Sequence, residues 1–209
     1  MTQPGYDAVA DLYSEALPTP YQTPLERHVV GAFADLVLER PLEGIVLDVG
    51  CGLGHVTADL AGRGLDVVGI DPSREMLGIA RRNYPELRFV HDDAQLESTD
   101  LGGQGVAAVV ARFSLIHLPP SDVPNVLAGW AARMAPGALV AVAGQTTDTV
   151  GEVSEFDHAV AQAWRWHPDR LSEALSEAGF EEVWRTISRP DAQHRFPEVH
   201  LVARRRYQV

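Results

Sequence analysis

The sequence contains no lysine, a single cysteine and no long apolar run. One cysteine, Cys51, excludes an internal disulfide framework and fits a reducing cytoplasm. No apolar stretch approaches the roughly 20 residues that a membrane span needs. Residues 1–5 show neither the basic nor the apolar region of a secretory signal, so we expect a cytoplasmic chain without a membrane span.

Positive charge is scarce as well. All 17 basic residues are arginine, and the 29 acidic residues give a formal net charge of −12. Proteins that follow nucleic acid phosphates usually carry a basic stripe, so we expect no nucleic acid partner. The 209 residues, of which 45% are hydrophobic and 22% charged, are typical of one globular domain with a continuous core.

The most informative stretch is an apolar run, residues 44–49, that ends in a turn of alternating glycines. Gly50, Gly52 and Gly54 form this turn, and an amphipathic segment begins at His55. A strand, a glycine turn and a helix in that order place bare backbone N–H groups beside a helix N-terminus, where a nucleotide-like ligand can approach the main chain closely. Because His55 stands where a dinucleotide fingerprint needs glycine or alanine, an NAD-dependent oxidoreductase is disfavoured. The lack of a lysine for a Tyr-x-x-x-Lys base argues against it too.

A second signal follows at the end of the next predicted strand, residues 66–70. This strand runs into Asp71, about 20 residues after the glycine turn, where an acidic side chain accepts hydrogen bonds from ribose hydroxyls. The glycine turn alone is a weak signal. The turn and Asp71 together predict a ligand that contains adenosine.

These motifs resemble those of the class I S-adenosylmethionine (SAM) methyltransferases. The glycine turn is similar to the D-x-G-x-G-x-G motif of that family, and the acid after the second strand is in the expected place. The resemblance extends over nearly the whole chain, through segments Asp48–Gly54, Gly69–Ser73, Tyr6–Tyr13, Asp92–Ala94, Ala135–Val140 and Ala178–Phe180.

The resemblance implies that SAM is the cofactor. It implies cofactor contacts at Tyr13, Asp48, Gly50, Cys51, Gly52, Gly54, Asp71, Pro72, Met76, Asp92, Asp93, Ala94 and Arg112. Within this set the glycine turn holds the methionine end, Asp71 holds the ribose, and Met76 or Pro72 packs on the adenine. Cys51 is expected to fit the turn as a small side chain rather than to react as a thiol.

Two more of these assignments leave alternatives open. Counting from the preceding strand favours Asp93 as the contact to the adenine amino group, with the Ala94 N–H on a ring nitrogen, whereas counting back from the next apolar residue favours Asp92. Either Tyr13 or Arg112 reaches the carboxylate of the cofactor. Asp48 is expected to support the turn.

The alternation of helices and strands predicts a Rossmann-like α/β fold. With the resemblance, we expect a doubly wound, seven-stranded, mostly parallel sheet with helices on both faces and an antiparallel last strand. Residues 1–209 form one domain, in which the N-terminal helices 1–40 and segment 145–166 cover the site as a lid. The alternative for these segments is a packing helix on the sheet flank. Ser73 and Ser121 are expected to cap helices.

The loop after the fourth strand faces the transferable methyl group in this family. Its His117 is the leading candidate for a general base or an acceptor anchor, because imidazole titrates near neutrality. The alternative is that His117 only binds the local backbone. His158, Trp164 and Trp166 are further candidates for the acceptor pocket, with core packing as the alternative for the tryptophans.

The sequence therefore predicts a SAM-dependent methyltransferase that acts on a small organic acceptor by in-line displacement, and secondary metabolism is a setting that fits. A substrate of RNA or protein is one alternative, and a SAM-binding regulator without transfer activity is another. The sequence shows no carboxylate–histidine cluster of the kind that would indicate a metal site. A homodimer is compatible with the sequence. The identity of the acceptor and of the methylated atom does not follow from the sequence.

Overall fold

The computed structural model describes residues 5–40, 42–192 and 194–207, so residues 1–4 of the predicted lid lie outside the described part. The α-helices are α1 Tyr6–Ala16, α2 Pro24–Leu38, α3 His55–Gly62, α4 Arg74–Asn83, α5 Val123–Arg133 and α6 Pro168–Glu177. The strands are β1 Ile45–Val49, β2 Val67–Asp71, β3 Arg88–His91, β4 Val106–Arg112, β5 Met134–Gln145, β6 Val153–Phe156, β7 Ala163–Trp166, β8 Phe180–Ser188 and β9 Glu198–Arg205.

Within the described residues, seven strands form one sheet in the order β3-β2-β1-β4-β5-β9-β8. Strands β1 to β5 run parallel to one another, and β9 pairs antiparallel with both β5 and β8. Every residue of β1 and β2 is buried, as expected for central strands that are covered on both faces. The predicted Rossmann-like fold with an antiparallel last strand is confirmed.

Helices cover both faces of this sheet. On one face α5 and α6 pack on the central strands, with Trp130 and Leu127 fully buried among strand side chains. On the other face α2 presents Phe33 and Ala34 to Val46 and other strand residues. For helix α2 the structure fits the second of the two predicted alternatives, a packing helix on the sheet, because its apolar side chains bury against β1, β4 and β5.

The predicted caps had different outcomes. Ser73 is the N-cap of α4, where its hydroxyl accepts a hydrogen bond from the Met76 N–H at 3.1 Å. Ser121 does not cap α5, because the preceding residues form a turn in which the Asp122 N–H bonds the Pro119 carbonyl. Asp122 is therefore the residue before the helix. None of the described helices is long and apolar enough to cross a membrane.

Segment 145–166 contains an antiparallel hairpin of β6 and β7, so a packing helix is not formed there. Its sequence is rich in aromatic and β-branched residues, which favour strands. A bridge between Thr146 and Trp166 ties β7 to the end of β5, and the Thr146 hydroxyl donates to the Trp166 carbonyl at 2.5 Å. The loop of the hairpin reaches the N-terminal helix, where the Gly5 N–H bonds the Val160 carbonyl at 2.9 Å.

Candidate active site

A cavity of about 520 Å³ lies at the carboxyl ends of the parallel strands. In open α/β sheets, ligands bind at this edge, and the volume is within the range of small-molecule pockets, about 300–1,000 Å³. The glycine turn after β1, the start of α4, the loop after β4, helix α1 and the hairpin loop all contribute to its lining.

The three glycines of the turn have different structural roles. Each has a positive φ, of +77° at Gly50, +52° at Gly52 and +78° at Gly54, a region that favours glycine. A Cβ at Gly50 would lie 2.2 Å from the Ser114 Cβ, and one at Gly54 would lie 2.7 Å from the Phe89 ring. A Cβ at Gly52 would meet no described atom within 4 Å, so this glycine presents open backbone to the cavity.

Asp71 connects the glycine turn to the next helix. One carboxylate oxygen accepts the Gly52 N–H and the other accepts the Ser73 N–H, both at 2.8 Å. Burial raises the pKa of Asp71, and these two backbone hydrogen bonds act against that shift. The side chain lines the cavity together with Pro72 and Met76. Asp71 therefore orders the turn and still faces the space beside it.

Asp48, in β1, and Cys51, within the turn, both line the cavity. The Thr57 hydroxyl donates to the Asp48 carboxylate at 2.6 Å, which joins β1 to α3. Burial is the main reason that the pKa of Asp48 rises to about 6, although the Thr57 hydrogen bond opposes it. Burial also raises the pKa of the Cys51 thiol, which keeps the sulfur protonated and weakly nucleophilic.

The two candidate aspartates after β3 face different surroundings. Asp93 and Ala94 line the cavity. Asp92 is not among the residues that line it, and its carboxylate accepts the Thr99 hydroxyl at 2.6 Å within its own loop. The Trp130 indole N–H donates to the Ala94 carbonyl at 2.7 Å, which holds this loop on α5. Of the two alternatives, the geometry favours Asp93.

Tyr13 and Arg112 both line the cavity. The guanidinium of Arg112 is already bound to the Glu26 carboxylate at 2.5 Å, and both side chains are more than nine-tenths buried. Tyr21 packs against the guanidinium, whose centre lies 5.3 Å from the ring centroid. Within the described residues, Nε of Arg112 has no hydrogen-bond partner, so this cation retains one free donor.

His117 lies where the two predicted lid segments meet. Its Nδ1 is 2.9 Å from the Gln162 carbonyl of the hairpin loop, and its Nε2 is 2.8 Å from the Tyr6 hydroxyl of α1. A carbonyl only accepts, so Nδ1 carries the proton, and Nε2 of the neutral ring accepts from Tyr6. Burial is the first cause that lowers the pKa of His117, which keeps the ring neutral near pH 7.

The residues predicted for the pocket of the methyl acceptor form two groups, one that lines the cavity and one that does not. His158 lines the cavity and packs edge-on against His117, with ring centroids 4.9 Å apart. Trp164 and Trp166 are not among the residues that line it. Trp166 is 8% exposed and packs in the core, and Trp164 lies on β7 opposite Glu155. These two tryptophans therefore contribute nothing to the described lining, because the β6–β7 hairpin places their side chains elsewhere.

Sequence reasoning did not assign several residues that line the cavity, among them Glu26, Gln145 and Glu198. The lining also contains Tyr6, which lies in the N-terminal segment of the resemblance, and His194, which the sequence offers only as a weaker candidate than His117. A signal for Glu26 is present, since Thr23-x-x-Glu26 is a capping-box pattern. Gln145 and Glu198 reach the cavity only through the pairing of β5 with β9. Among the described residues, no group of three or more His, Cys, Asp or Glu side chains is placed to hold a metal ion.

The fold is shared with solved methyltransferase structures. The CcbJ methyltransferase from Streptomyces caelestis has a TM-score of 0.73 at 20% identity, and the match covers 99% of this chain and 100% of that one. The magnesium protoporphyrin IX methyltransferase from Synechocystis, solved with bound SAM, has a TM-score of 0.70 at 19% identity, covering 96% and 93%. At these identities the likeness defines the class of fold.

The sequence comparisons add the family. Residues 46–137 match the family described as a methyltransferase domain. Ubiquinone biosynthesis O-methyltransferase from Rhizobium etli is 28% identical over 160 residues, 70% of this chain and 64% of that protein. Trans-aconitate 2-methyltransferase from Delftia acidovorans is 33% identical over 184 residues, 74% and 66%. The chain spans just under two thirds of these relatives' length. Residues 46–137 therefore belong to the methyltransferase domain family, and the chain as a whole is similar to methyltransferases, one of them solved with SAM bound.

Proposed function

We propose that the protein transfers a methyl group from SAM to a small organic acceptor by in-line displacement. The observation that carries the proposal is the open backbone of Gly52 at the cavity, with the Asp71 carboxylate fixed beside it. A cofactor can lie against this backbone because no described side chain fills the space. Relatives that are named as a ubiquinone biosynthesis O-methyltransferase and a trans-aconitate 2-methyltransferase support a small-molecule acceptor.

The proposal assigns the cofactor contacts along the edge of the sheet. Asp71 binds the ribose hydroxyls with its remaining lone pairs, and Asp93 with the Ala94 N–H binds the adenine. Met76 and Pro72 pack on the adenine ring, and the Gly50–Gly54 backbone holds the methionine end. Tyr13 and the free Nε of Arg112 meet the carboxylate. All of these residues line the cavity except Gly54, which packs against the Phe89 ring, and this lining supports the assignments.

SAM supplies an activated methyl group on a sulfonium, so the protein has to position the acceptor and exclude water. We assign the covering role to α1, to residues 17–22 that follow it, and to the hairpin loop. Asp7 fixes α1 over the site, because its carboxylate accepts the Ser73 hydroxyl at 2.6 Å at the start of α4. Residues of α2 beyond its first turn take no part in this lid.

A general base is proposed at His117. Its Nε2 lone pair is occupied by the Tyr6 hydroxyl, so a proton from the acceptor reaches the imidazole through the Tyr6 oxygen as the phenol proton moves to Nε2. The protonated ring keeps its Nδ1 hydrogen bond to the Gln162 carbonyl, which stabilises the charge. Tyr6 therefore touches the acceptor in this proposal, and His117 stores the proton.

The setting is proposed from the sequence. The acidic composition and the single cysteine support a cytoplasmic enzyme without a nucleic acid partner. A homodimer is the quaternary state to be tested, by light scattering of the purified protein. RNA or protein as the substrate, and a regulator without transfer activity, are the alternatives that the following experiment separates.

The experiment begins with calorimetric titration of SAM and S-adenosylhomocysteine. We expect both compounds to bind with micromolar affinity. The proposal would be removed if neither of them bound. Transfer of the labelled methyl group is then measured with a panel of phenols, amines, carboxylates, RNA and protein. Binding without transfer to any member would support the regulator instead.

A further inference from the structure

Two hydrogen-bond acceptors stand side by side at one end of the cavity. Gln145 ends β5 and Glu198 begins β9, and they are direct partners in the antiparallel pairing of these strands. Side chains at paired positions have Cβ atoms about 4.5–5.5 Å apart. Both residues line the cavity. The β5–β9 register therefore builds a small polar patch that neither strand would form alone.

Neither acceptor is satisfied by the protein. The Gln145 amide oxygen is buried and lacks a hydrogen-bond partner in the described structure. Glu198 is 8% exposed, and its carboxylate, which forms no hydrogen bond or ion pair with the described residues, keeps its oxygens accessible at the cavity. A buried carboxylate without a partner costs free energy, so a site that retains one is a candidate binding site.

The charges around Glu198 leave it unbalanced. The nearby cation Arg112 is bound to Glu26, and the Glu26 carboxylate also caps α2. The other groups that face Glu198 are His194 and Asp191, which are joined to one another at 2.9 Å. Burial and the Glu26 charge raise the pKa of Glu198, which is the direction expected for a carboxylate without its own cation.

The position of the patch separates it from the proposed cofactor contacts. In the sheet order β3-β2-β1-β4-β5-β9-β8, the glycine turn and Asp71 follow β1 and β2, whereas Gln145 and Glu198 lie on β5 and β9. Strand β4, which ends in Arg112, lies between the two groups. A ligand held at β1 and β2 therefore leaves the β5–β9 end of the cavity to the acceptor.

We propose that Glu198 and Gln145 form a specificity subsite for a positively charged amine on the acceptor. Both groups accept hydrogen bonds from an ammonium N–H, and Glu198 also supplies the opposite charge. A carboxylate or phosphate on the acceptor would face Glu198 and be rejected. The inference rests on the proposed function, because it defines the acceptor of the same site.

The test uses ligand-observed NMR with three matched probes, namely benzylamine, benzyl alcohol and benzoate, each with and without S-adenosylhomocysteine. We expect benzylamine to bind at least about tenfold more tightly than benzyl alcohol, and benzoate to bind most weakly, because a charge-assisted hydrogen bond is stronger than a neutral one. The Glu198→Gln variant should lose this preference. Glu177→Gln, at an exposed position outside the cavity, should retain it.

A second measurement does not need a ligand. Because burial raises the pKa of Glu198, its charged form opposes folding once the pH exceeds the ordinary pKa of the carboxyl. Glu198→Gln should therefore melt at a higher temperature than wild type near neutral pH, and the gain should vanish in acid where the carboxyl is protonated in both states. A variant that instead melts lower at neutral pH would show that Glu198 holds the fold together.

The outcomes separate the subsite from the proposed function. If S-adenosylhomocysteine binds but benzylamine shows no preference, or if Glu198→Gln keeps the preference, the subsite is overturned and the methyltransferase proposal stands. If S-adenosylhomocysteine does not bind, the proposed function fails, and the probes without it still decide whether the patch selects cations.

Discussion

The hydroxyl of Tyr6 lies 2.8 Å from Nε2 of His117 and joins the first helix to the loop that follows β4. The opposite nitrogen of the same imidazole bonds the Gln162 carbonyl of the hairpin loop. A single ring therefore contacts both segments of the proposed lid. We expect the protonation of this ring to affect how both segments are held at the cavity.

Tyr6→Phe and His117→Ala test the proton pathway. Tyr6→Phe keeps the ring that packs edge-on against Tyr13 but removes the donor to Nε2. We expect either change to lower turnover by about 10²–10⁴-fold, the usual contribution of general acid–base catalysis, with the affinity for S-adenosylhomocysteine nearly unchanged. Steady-state kinetics with an acceptor from the panel and calorimetry measure the two quantities.

The pH profile supplies the check on that prediction. Because burial lowers the pKa of His117, the neutral ring persists below the ordinary value of 6.5, and turnover should stay constant as the pH falls toward it. Turnover should then decrease at lower pH as the imidazole is protonated. The decrease should be absent from His117→Ala, and equal turnover in that variant would retire the base role.

Gly52→Ala and Gly64→Ala form a matched pair. Both glycines have positive φ, +52° and +98°, and a Cβ at either would meet no described atom within 4 Å. Each substitution should cost about 1–2 kcal/mol of unfolding free energy through backbone strain. Only Gly52 lies at the cavity, so only Gly52→Ala should weaken SAM binding. Calorimetry measures the affinity for SAM, and urea denaturation measures the unfolding free energy. Equal SAM affinities in the two variants would contradict the proposed close approach of the cofactor to the Gly52 backbone.

Asp71→Ala should weaken SAM binding by about 10–100-fold, because hydrogen bonds to a charged group contribute about 1.5–3 kcal/mol. It should weaken that binding by more than His117→Ala does. Asp71→Asn is the control, since it keeps one oxygen that can accept the Gly52 N–H and order the turn. Full affinity in Asp71→Ala, measured by calorimetry, would exclude the ribose contact.

Asp48→Asn should remove a pH-dependent loss of folding stability. The pKa of Asp48 rises from 3.8 to about 6 on folding, which corresponds to about 3 kcal/mol at most. The sign follows directly: below pH 3.8 the carboxyl is protonated in both states, and stability is lost as the pH rises through 6. The variant should therefore be more stable near pH 7 and gain nothing in acid. Urea denaturation near pH 7 and below pH 3.8 measures the difference in unfolding free energy between the variant and wild type.

Glu26→Gln should destabilise the fold by about 3–5 kcal/mol, because it leaves the buried charge of Arg112 without its partner. Thr23→Ala serves as the comparison, since it removes the hydroxyl that accepts the Glu26 N–H and donates to the Glu26 carboxylate but leaves the ion pair with Arg112, and it should cost about 1 kcal/mol. Denaturant midpoints distinguish the two. Similar losses would mean that the ion pair contributes little beyond the cap.

The parts of the fold that the sequence predicted are those with local causes. The apolar run of β1, the alternating glycines and the Ser73 cap each act within a few residues, so their structures follow from residue type. The same holds for the parallel strands, whose helices lie between them in sequence. For this reason the glycine turn, Asp71 and the loop of Asp93 could be placed at one sheet edge in advance.

The remainder depends on contacts between distant residues. The hairpin of β6 and β7 is held by the bridge from Thr146 to Trp166, 20 positions apart, and its periodicity does not distinguish it from a packed helix. Glu198 reaches the cavity only because β9 inserts beside β5 in one antiparallel register. Such pairings follow from the assembled sheet, so the sequence carried no signal for Glu198.

The indole of Trp130 donates its N–H to the Ala94 carbonyl and is fully buried beneath the loop that also carries Asp93. Since indole emission depends on the polarity and hydrogen bonding of its surroundings, this side chain is an internal optical reporter for the loop. We therefore expect a ligand at the proposed adenine end of the cavity to change the contribution of Trp130 to the intrinsic fluorescence of the four tryptophans, which can be followed without attaching a dye to the protein.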